Sequence, residues 1–327
     1  MKIVAAVIGT GIGLKHIEAI DSHFNSNVKI ICEFNKKKVQ IIKKKFASKI
    51  IVSNENEIFK DKTINLVSIA SYDENHFSQI IKCIRNKKNV IVEKPMCLNF
   101  AQLKKIKQEL KKNKKIKIFS NLVLRVNDLF KKIKNQVNKK KIYYIEADYI
   151  WGRKEKLFGW RSKNKQYSIT TGAGIHMIDL INWILETNPT HVTAFSNKKF
   201  TKNTIFKKDS FNVAILEYPE EILAKVTSNC YANYKHFHEL KIFSKNQTYI
   251  HNVIGKTKFL NKKRLPIKGN YPDKINRGKL IHNFLNVLQK KEKKEIISTR
   301  EQFDLMAICF ALDNSIKFNK RQKIKYV

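Results

Sequence analysis

Residues 3–13 read Ile3-Val4-Ala5-Ala6-Val7-Ile8-Gly9-Thr10-Gly11-Ile12-Gly13, and Glu33 stands twenty residues beyond Gly13. Six apolar residues in a row read as a buried strand, and the amphipathic stretch 16–24 reads as the helix that follows it. Between the two, Gly9 permits a tight turn and Gly11 lets a pyrophosphate approach bare backbone. The helix start offers unpaired N–H groups and the positive end of its dipole. Glu33, at the end of the second strand, can accept both ribose hydroxyls. Strand, glycines, helix and acid in this order mark a dinucleotide site made by Gly9, Thr10, Gly11, Ile12, Gly13 and Glu33. Glu33 would repel a 2′-phosphate, which favours NAD; Lys36, Lys37 and Lys38 could offset that repulsion, so NADP stays open.

Outward from this start the same rhythm continues. Strand patterns at 3–8, 28–32, 50–52, 66–70, 90–92 and 116–119 alternate with helical patterns at 16–24, 36–46, 76–86 and 100–112, which is the βαβ order of a parallel sheet covered on both faces. Asn99 followed by Gln102 caps the last of these helices. Beyond about residue 122 the rhythm changes. Segments 142–151, 191–196, 211–218, 223–230, 239–243 and 248–252 read as strands with short connections. The alternation in Tyr144-Ile145-Glu146-Ala147-Asp148-Tyr149 fits an antiparallel sheet with one face covered. Helices are expected at 173–185, 279–290 and 300–318. With about 100 to 200 residues per domain, the 327 residues divide into an N-terminal domain, 1–122, and a C-terminal α+β domain, 123–327.

Composition bounds the rest. Lys+Arg number 66 against 27 Asp+Glu, a net charge of +39, yet 43% of the chain is hydrophobic, which excludes charge-driven disorder. Only eight of the basic residues are arginine, leaving 58 lysines spread over nearly every segment. Nucleic-acid modules concentrate basic residues on one face and interleave aromatics, so no specific nucleic-acid partner is expected; adhesion to polyanions at low salt is. Five scattered cysteines without a C-x-x-C pair suit reduced thiols in a cytoplasmic protein. No apolar run approaches the roughly 18 residues of a membrane span.

A second motif ends the fifth strand, Val90-Ile91-Val92-Glu93-Lys94-Pro95. Together with residues 4–13, Val67-Ser68-Ile69-Ala70-Ser71, His76 and Gly174-Ile175-His176-Met177-Ile178-Asp179, the chain resembles the glucose-fructose oxidoreductase, inositol dehydrogenase and MocA (Gfo/Idh/MocA) family over essentially its whole length. The resemblance implies a doubly wound Rossmann domain followed by a large, mostly antiparallel open sheet that binds substrate. It also implies a homo-oligomer, dimer or tetramer. It places Lys94 beside the nicotinamide and the substrate hydroxyl and makes His176 the acid/base. Ser71, His76, Glu93 and Asn121 go to the cofactor side, and Arg161 of the Trp160-Arg161 pair lies near it. One departure stands out: where many sugar and polyol dehydrogenases of the family carry an aspartate four residues before the histidine, this chain has Gly172. Asp179, one helical turn after His176, can orient the imidazole or bind a substrate hydroxyl.

These residues suit oxidation of a secondary alcohol, which needs a base for the hydroxyl proton and a cation for the developing alkoxide. The expected activity is an NAD(P)-dependent dehydrogenase acting on a sugar, polyol or nucleotide sugar. Gly172 motivates a second reading, a nucleotide-binding family member that has lost turnover and serves as a sensor or partner subunit. His236 and His238, two apart on a strand, share one face. Without a third ligand they read as core or edge residues rather than a metal site.

Overall fold

The computed structural model describes residues 1–327. Six parallel strands form the first sheet: β1 (Ile3–Ile8), β2 (Ser26–Cys32), β3 (Ile50–Val52), β4 (Leu66–Ile69), β5 (Asn89–Val92) and β6 (Ile118–Ser120), in the order β3-β2-β1-β4-β5-β6. Helices α1 (Gly13–Asp21), α2 (Lys36–Lys45), α3 (Asn56–Lys60), α4 (Asp73–Arg85) and α5 (Phe100–Lys112) alternate with them. The strands are apolar along their length because helices cover both faces, and Ile3, Ala5, Ala6, Val7 and Ile8 are all fully buried. Two of the helices start on side-chain caps. Asn35 accepts from the N–H groups of Lys37 and Lys38; Asn99 accepts from Gln102, whose side chain in turn accepts from Leu98 N–H at 2.9 Å. The strand order reverses between β1 and β4, the switch point beside which α/β sheets open a crevice at their carboxyl ends.

The second sheet starts from α6 (Asp128–Gln136) and β7 (Ile142–Ile150). After the short helix α7 (Trp160–Lys163) comes a π-helical turn over Thr170–Gly174, then α8 (Ile175–Leu185). Strands β8 (His191–Asn197), β9 (Phe211–Glu217), β10 (Leu223–Asn229), β11 (Phe237–Ser244), β12 (Gln247–His251), β13 (Lys256–Leu260) and β14 (Lys263–Pro266) follow. Nine strands run in the order β14-β13-β12-β11-β7-β10-β9-β8 and a terminal strand, antiparallel except where β10 pairs with β7. The alternation on β7 sorts the faces. Ile145, Ala147 and Tyr149 are buried toward the α8 side, while Glu146 and Asp148 join a ladder of ion pairs with Lys241 (3.0 Å) and Lys225 (3.2 Å to Asp148).

Two late segments complete the chain: α9 (Gly278–Leu288), and α10 (Thr299–Phe318) leading to β15 (Gln322–Lys323), which pairs with β8. By contacts the chain forms two compact units, 1–121 with 275–302, and 122–274 with 303–327. Segment 275–302, which the sequence reading placed in the second domain, therefore goes with the first. Its anchors explain why: Phe284 stacks on Phe119 at 5.3 Å, His282 donates to the Ala19 carbonyl at 2.9 Å, and His23 meets Asn286 Oδ1 at 2.9 Å. All five cysteines are buried and unpaired, and no helix is long and apolar enough to cross a membrane.

Candidate functional site

In the first unit the glycine turn does what its sequence implies. Gly9 has φ +89°, and a side chain there would collide with the Ala70 carbonyl. A side chain on Gly13 would come within 3.1 Å of Val7 and 3.2 Å of Ala70, so this glycine lets α1 sit against the sheet; the helix accordingly starts at Gly13, three residues before the expected position. At Gly11 a Cβ would meet nothing within 4 Å, leaving a bare backbone cradle open to a ligand. Glu33 is buried behind the turn. It accepts from the Thr10 N–H (3.2 Å), the Thr10 hydroxyl and the Asn35 N–H (2.9 Å), which fix its direction and leave lone pairs on both oxygens. Ile12 is half exposed on the turn.

A second cluster lies at the carboxyl ends of β4, β5 and β6. His16, on α1 and 1% exposed, joins Glu93 to Ser68: Nε2–H donates to the Glu93 carboxylate at 2.9 Å, and Nδ1 accepts from the Ser68 hydroxyl at 2.7 Å. The Asn121 amide nitrogen donates to the same Glu93 oxygen at 2.8 Å, while its buried Oδ1 has no donor. Burial pushes the Glu93 carboxyl up, but the hydrogen bonds from His16 and Asn121 and the charge of Lys94 outweigh that and hold it below its usual range. Lys94 is half-buried beside it. His76, which could have been a surface residue of α4, is fully buried. Its Nδ1 donates to the Pro95 carbonyl at 2.7 Å and its Nε2 lies 3.2 Å from the Ser71 carbonyl, so it braces the turn that carries Lys94. The Ser71 hydroxyl donates to Gln79 at 2.7 Å.

In the second unit His176, on α8 and 8% exposed, stacks flat on Tyr149 with ring centroids 5.9 Å apart. His236 and His238 meet the same Tyr149 edge-on at 5.3 and 4.9 Å. The Tyr271 hydroxyl accepts from the His238 backbone N–H (2.9 Å) and donates to its Nδ1 (2.7 Å). Burial pushes the Tyr149 phenol well above its ordinary value, so it stays neutral. The Asp179 carboxylate accepts a two-pronged bond from Arg125, at 2.7 Å from Nη2 and 3.1 Å from Nε, and both side chains are about 2% exposed. Position 172 is closed by Tyr167, whose hydroxyl stands where a side chain's first carbon would be. The Arg161 guanidinium lies 4.4 Å over the Trp160 ring and 4.9 Å over that of Trp151.

His16, Ser68, Arg125, Tyr149 and Tyr167 are the site residues that sequence reasoning missed. His16, Arg125 and Tyr149 acquire their partners from elements far along the chain, Ser68 stood inside the Val67–Ser71 motif without a role, and Tyr167 acts on position 172 only five residues on, through a turn that no spacing rule describes.

Residues 3–121 match the family model for the Gfo/Idh/MocA oxidoreductases, described as an NAD-binding Rossmann fold, and residues 134–250 match the model for that family's C-terminal domain. Myo-inositol 2-dehydrogenase of Thermotoga maritima is 29% identical over 132 residues, 40% of this chain. The chain matches 39% and 45% of the lengths of two curated relatives. Among solved structures, myo-inositol 2-dehydrogenase from Lactobacillus plantarum superposes with TM-score 0.85 at 17% identity, covering 99% of this chain and 100% of that one. Scyllo-inositol dehydrogenase from Lactobacillus casei, solved with NAD(H) and scyllo-inositol, gives 0.82 at 16% identity, covering 99% of each chain. On both domain models, the chain belongs to the Gfo/Idh/MocA oxidoreductase family, with an N-terminal NAD-binding Rossmann fold.

Proposed function

We propose that the protein is an NAD-dependent dehydrogenase that oxidises a secondary hydroxyl of a sugar or polyol, or reduces the corresponding ketone. The observation that carries this reading is the convergence at the carboxyl ends of the first sheet. Gly9, Glu33, Ser71, Glu93 and Asn121 follow β1, β2, β4, β5 and β6, beside the switch point where α/β sheets bind nucleotides. The residues fit NAD: the open cradle at Gly11 suits the pyrophosphate, the fixed Glu33 carboxylate the adenosine ribose, and the undonated Asn121 Oδ1 a carboxamide N–H. When bound, NAD supplies the hydride acceptor.

The chain's own residues supply the rest. His176, held flat against Tyr149, takes the hydroxyl proton, and Lys94 offers positive charge to the developing alkoxide. Glu93 balances the Lys94 charge, and His76 braces the Lys94-Pro95 turn. Asp179 is a positioning residue: its pair with Arg125 anchors α8 beneath His176. A family relative acting on inositol supports a polyol substrate.

A turnover screen tests the reading. NAD and NADP are offered with a panel of inositols, sugars and nucleotide sugars, and absorbance of the reduced nicotinamide is followed. Turnover with NAD on at least one polyol or sugar is expected. The closure of position 172 by Tyr167 favours one second reading, a nucleotide-binding sensor without turnover. NAD binding with no turnover across the panel would support that alternative, and binding of neither cofactor would end both.

A further inference from the structure

The second unit holds a cavity of about 410 Å³ walled by segments 165–169 and 198–212 and by the end of α10. Five of its twelve lining residues are lysines, Lys165, Lys198, Lys207, Lys208 and Lys317, whereas lysines make up 58 of the 327 residues in the chain. Four of the five are exposed at the rim. Lys208 is half-buried: its ammonium donates to two neutral carbonyls, Ser162 at 3.3 Å and Phe206 at 3.5 Å, and burial lowers its pKa. A partly desolvated ammonium facing neutral oxygens is one that an anion would stabilise.

The floor is different in kind. Asn212 (2% exposed) donates to the Thr170 hydroxyl at 2.9 Å, Thr170 donates to Asp313 at 2.6 Å, and Ser168 donates to Asp313 at 2.9 Å. Burial raises the Asp313 carboxyl to about 6. Asp209 is the only other acid in the lining, so five cations face two carboxyls. A floor of hydroxyl, amide and carboxyl groups suits ligand hydroxyls, and a rim of ammonium groups suits a dianion. Tyr167 lines the cavity and its hydroxyl closes position 172, so the cavity adjoins the start of the segment that carries His176.

We propose that this cavity binds the phosphoryl end of a hydroxylated ligand, which makes the substrate of the dehydrogenase a phosphorylated or nucleotide-linked sugar or polyol. The substrate assignment rests on the dehydrogenase reading; the anion site itself does not.

Inorganic pyrophosphate, titrated calorimetrically in 150 mM NaCl with saturating NAD present, tests it, because NAD then occupies the cradle at Gly11. One saturable site is expected. The double variant Lys207→Ser/Lys208→Ser should weaken it about tenfold or more, whereas Lys111→Ser/Lys112→Ser, an equal charge loss on the exposed end of α5, should change it less than twofold. Unchanged thermal unfolding of both variants confirms that they fold. No saturable binding, or equal weakening by the two pairs, overturns the proposal. A separate NAD titration without pyrophosphate keeps the two readings apart: NAD binding without a pyrophosphate site rejects the cavity alone, and a lysine-dependent pyrophosphate site without NAD binding rejects the dehydrogenase alone.

Discussion

A side chain at position 172 would meet the Tyr167 hydroxyl at its first carbon, and Tyr167 is itself buried among Trp160, Arg161 and Phe206. Even one added methyl overpacks the site. Gly172→Ala should therefore lose about 1 to 3 kcal/mol of stability in urea unfolding, and the double variant Tyr167→Leu/Gly172→Ala should recover part of the loss. The sequence shows the glycine but cannot show the tyrosine that requires it. At His176 the expected effect is on chemistry alone: His176→Ala should leave the NAD dissociation constant unchanged and lower turnover by about 10² to 10⁴. Arg125 has the opposite profile. Removing one partner of the buried pair takes from Asp179 the two-pronged bond and the charge of Arg125, so Arg125→Met should cost about 3 to 5 kcal/mol, read in the same urea experiment. From sequence, Asp179 was legible as a residue near His176 on one helix face. Its arginine lies 54 positions away, where no spacing rule reaches.

Elements were most legible where one period ran long enough to define a buried face. The six parallel strands and helices α1, α2, α4 and α5 are of this kind, and so is β7, whose alternation separates Tyr149 from Asp148, whereas α3 and α6 were not read from the sequence. Strands β13 and β14 were not legible: residues 256–266 carry Lys256, Lys258, Lys263 and Arg264 on an edge with no buried face. The return of α9 to the first unit was hidden too, because its apolar face gives a helix without naming the surface it covers. On β12, His251 is 2% exposed against Phe130, Phe237 and Tyr271, and neither ring nitrogen has a partner. Burial first, then the charge of Lys256, lowers its pKa from 6.5 to about 4. As pH falls below 6.5 the unfolded chain takes up this proton before the folded one, so stability is lost between pH 6.5 and 4. His251→Phe removes the titration. The variant should gain on the parent protein by up to about 3 kcal/mol at pH 4, beyond any constant difference at pH 8, in denaturant melts at the two pH values.

At the scale of the whole molecule, the net charge of +39 belongs to the surface and not to the fold. The lysines that acids engage do so in exposed or half-buried pairs, such as Lys15–Glu18 and Lys132–Asp128, and the exposed ones contribute little to stability and are screened by salt. The remainder make a diffuse positive field around a protein whose chemistry we place on a few positions: Gly9, Gly11, Glu33, Lys94 and His176. A diffuse field has a testable signature. Binding to heparin or duplex DNA should be tight at 50 mM salt, and the logarithm of its affinity should fall linearly with the logarithm of salt concentration, as expected for counterion release. It should also be indifferent to which lysines are removed. Lys207→Ser/Lys208→Ser and Lys111→Ser/Lys112→Ser should therefore elute from a heparin column at the same salt concentration, slightly below the parent protein. Earlier elution of the 207/208 pair alone would show that polyanions are recognised at the cavity, and would contradict a field spread evenly over the surface. Equal elution, set against unequal pyrophosphate affinities, separates a built anion site from the charge that surrounds it.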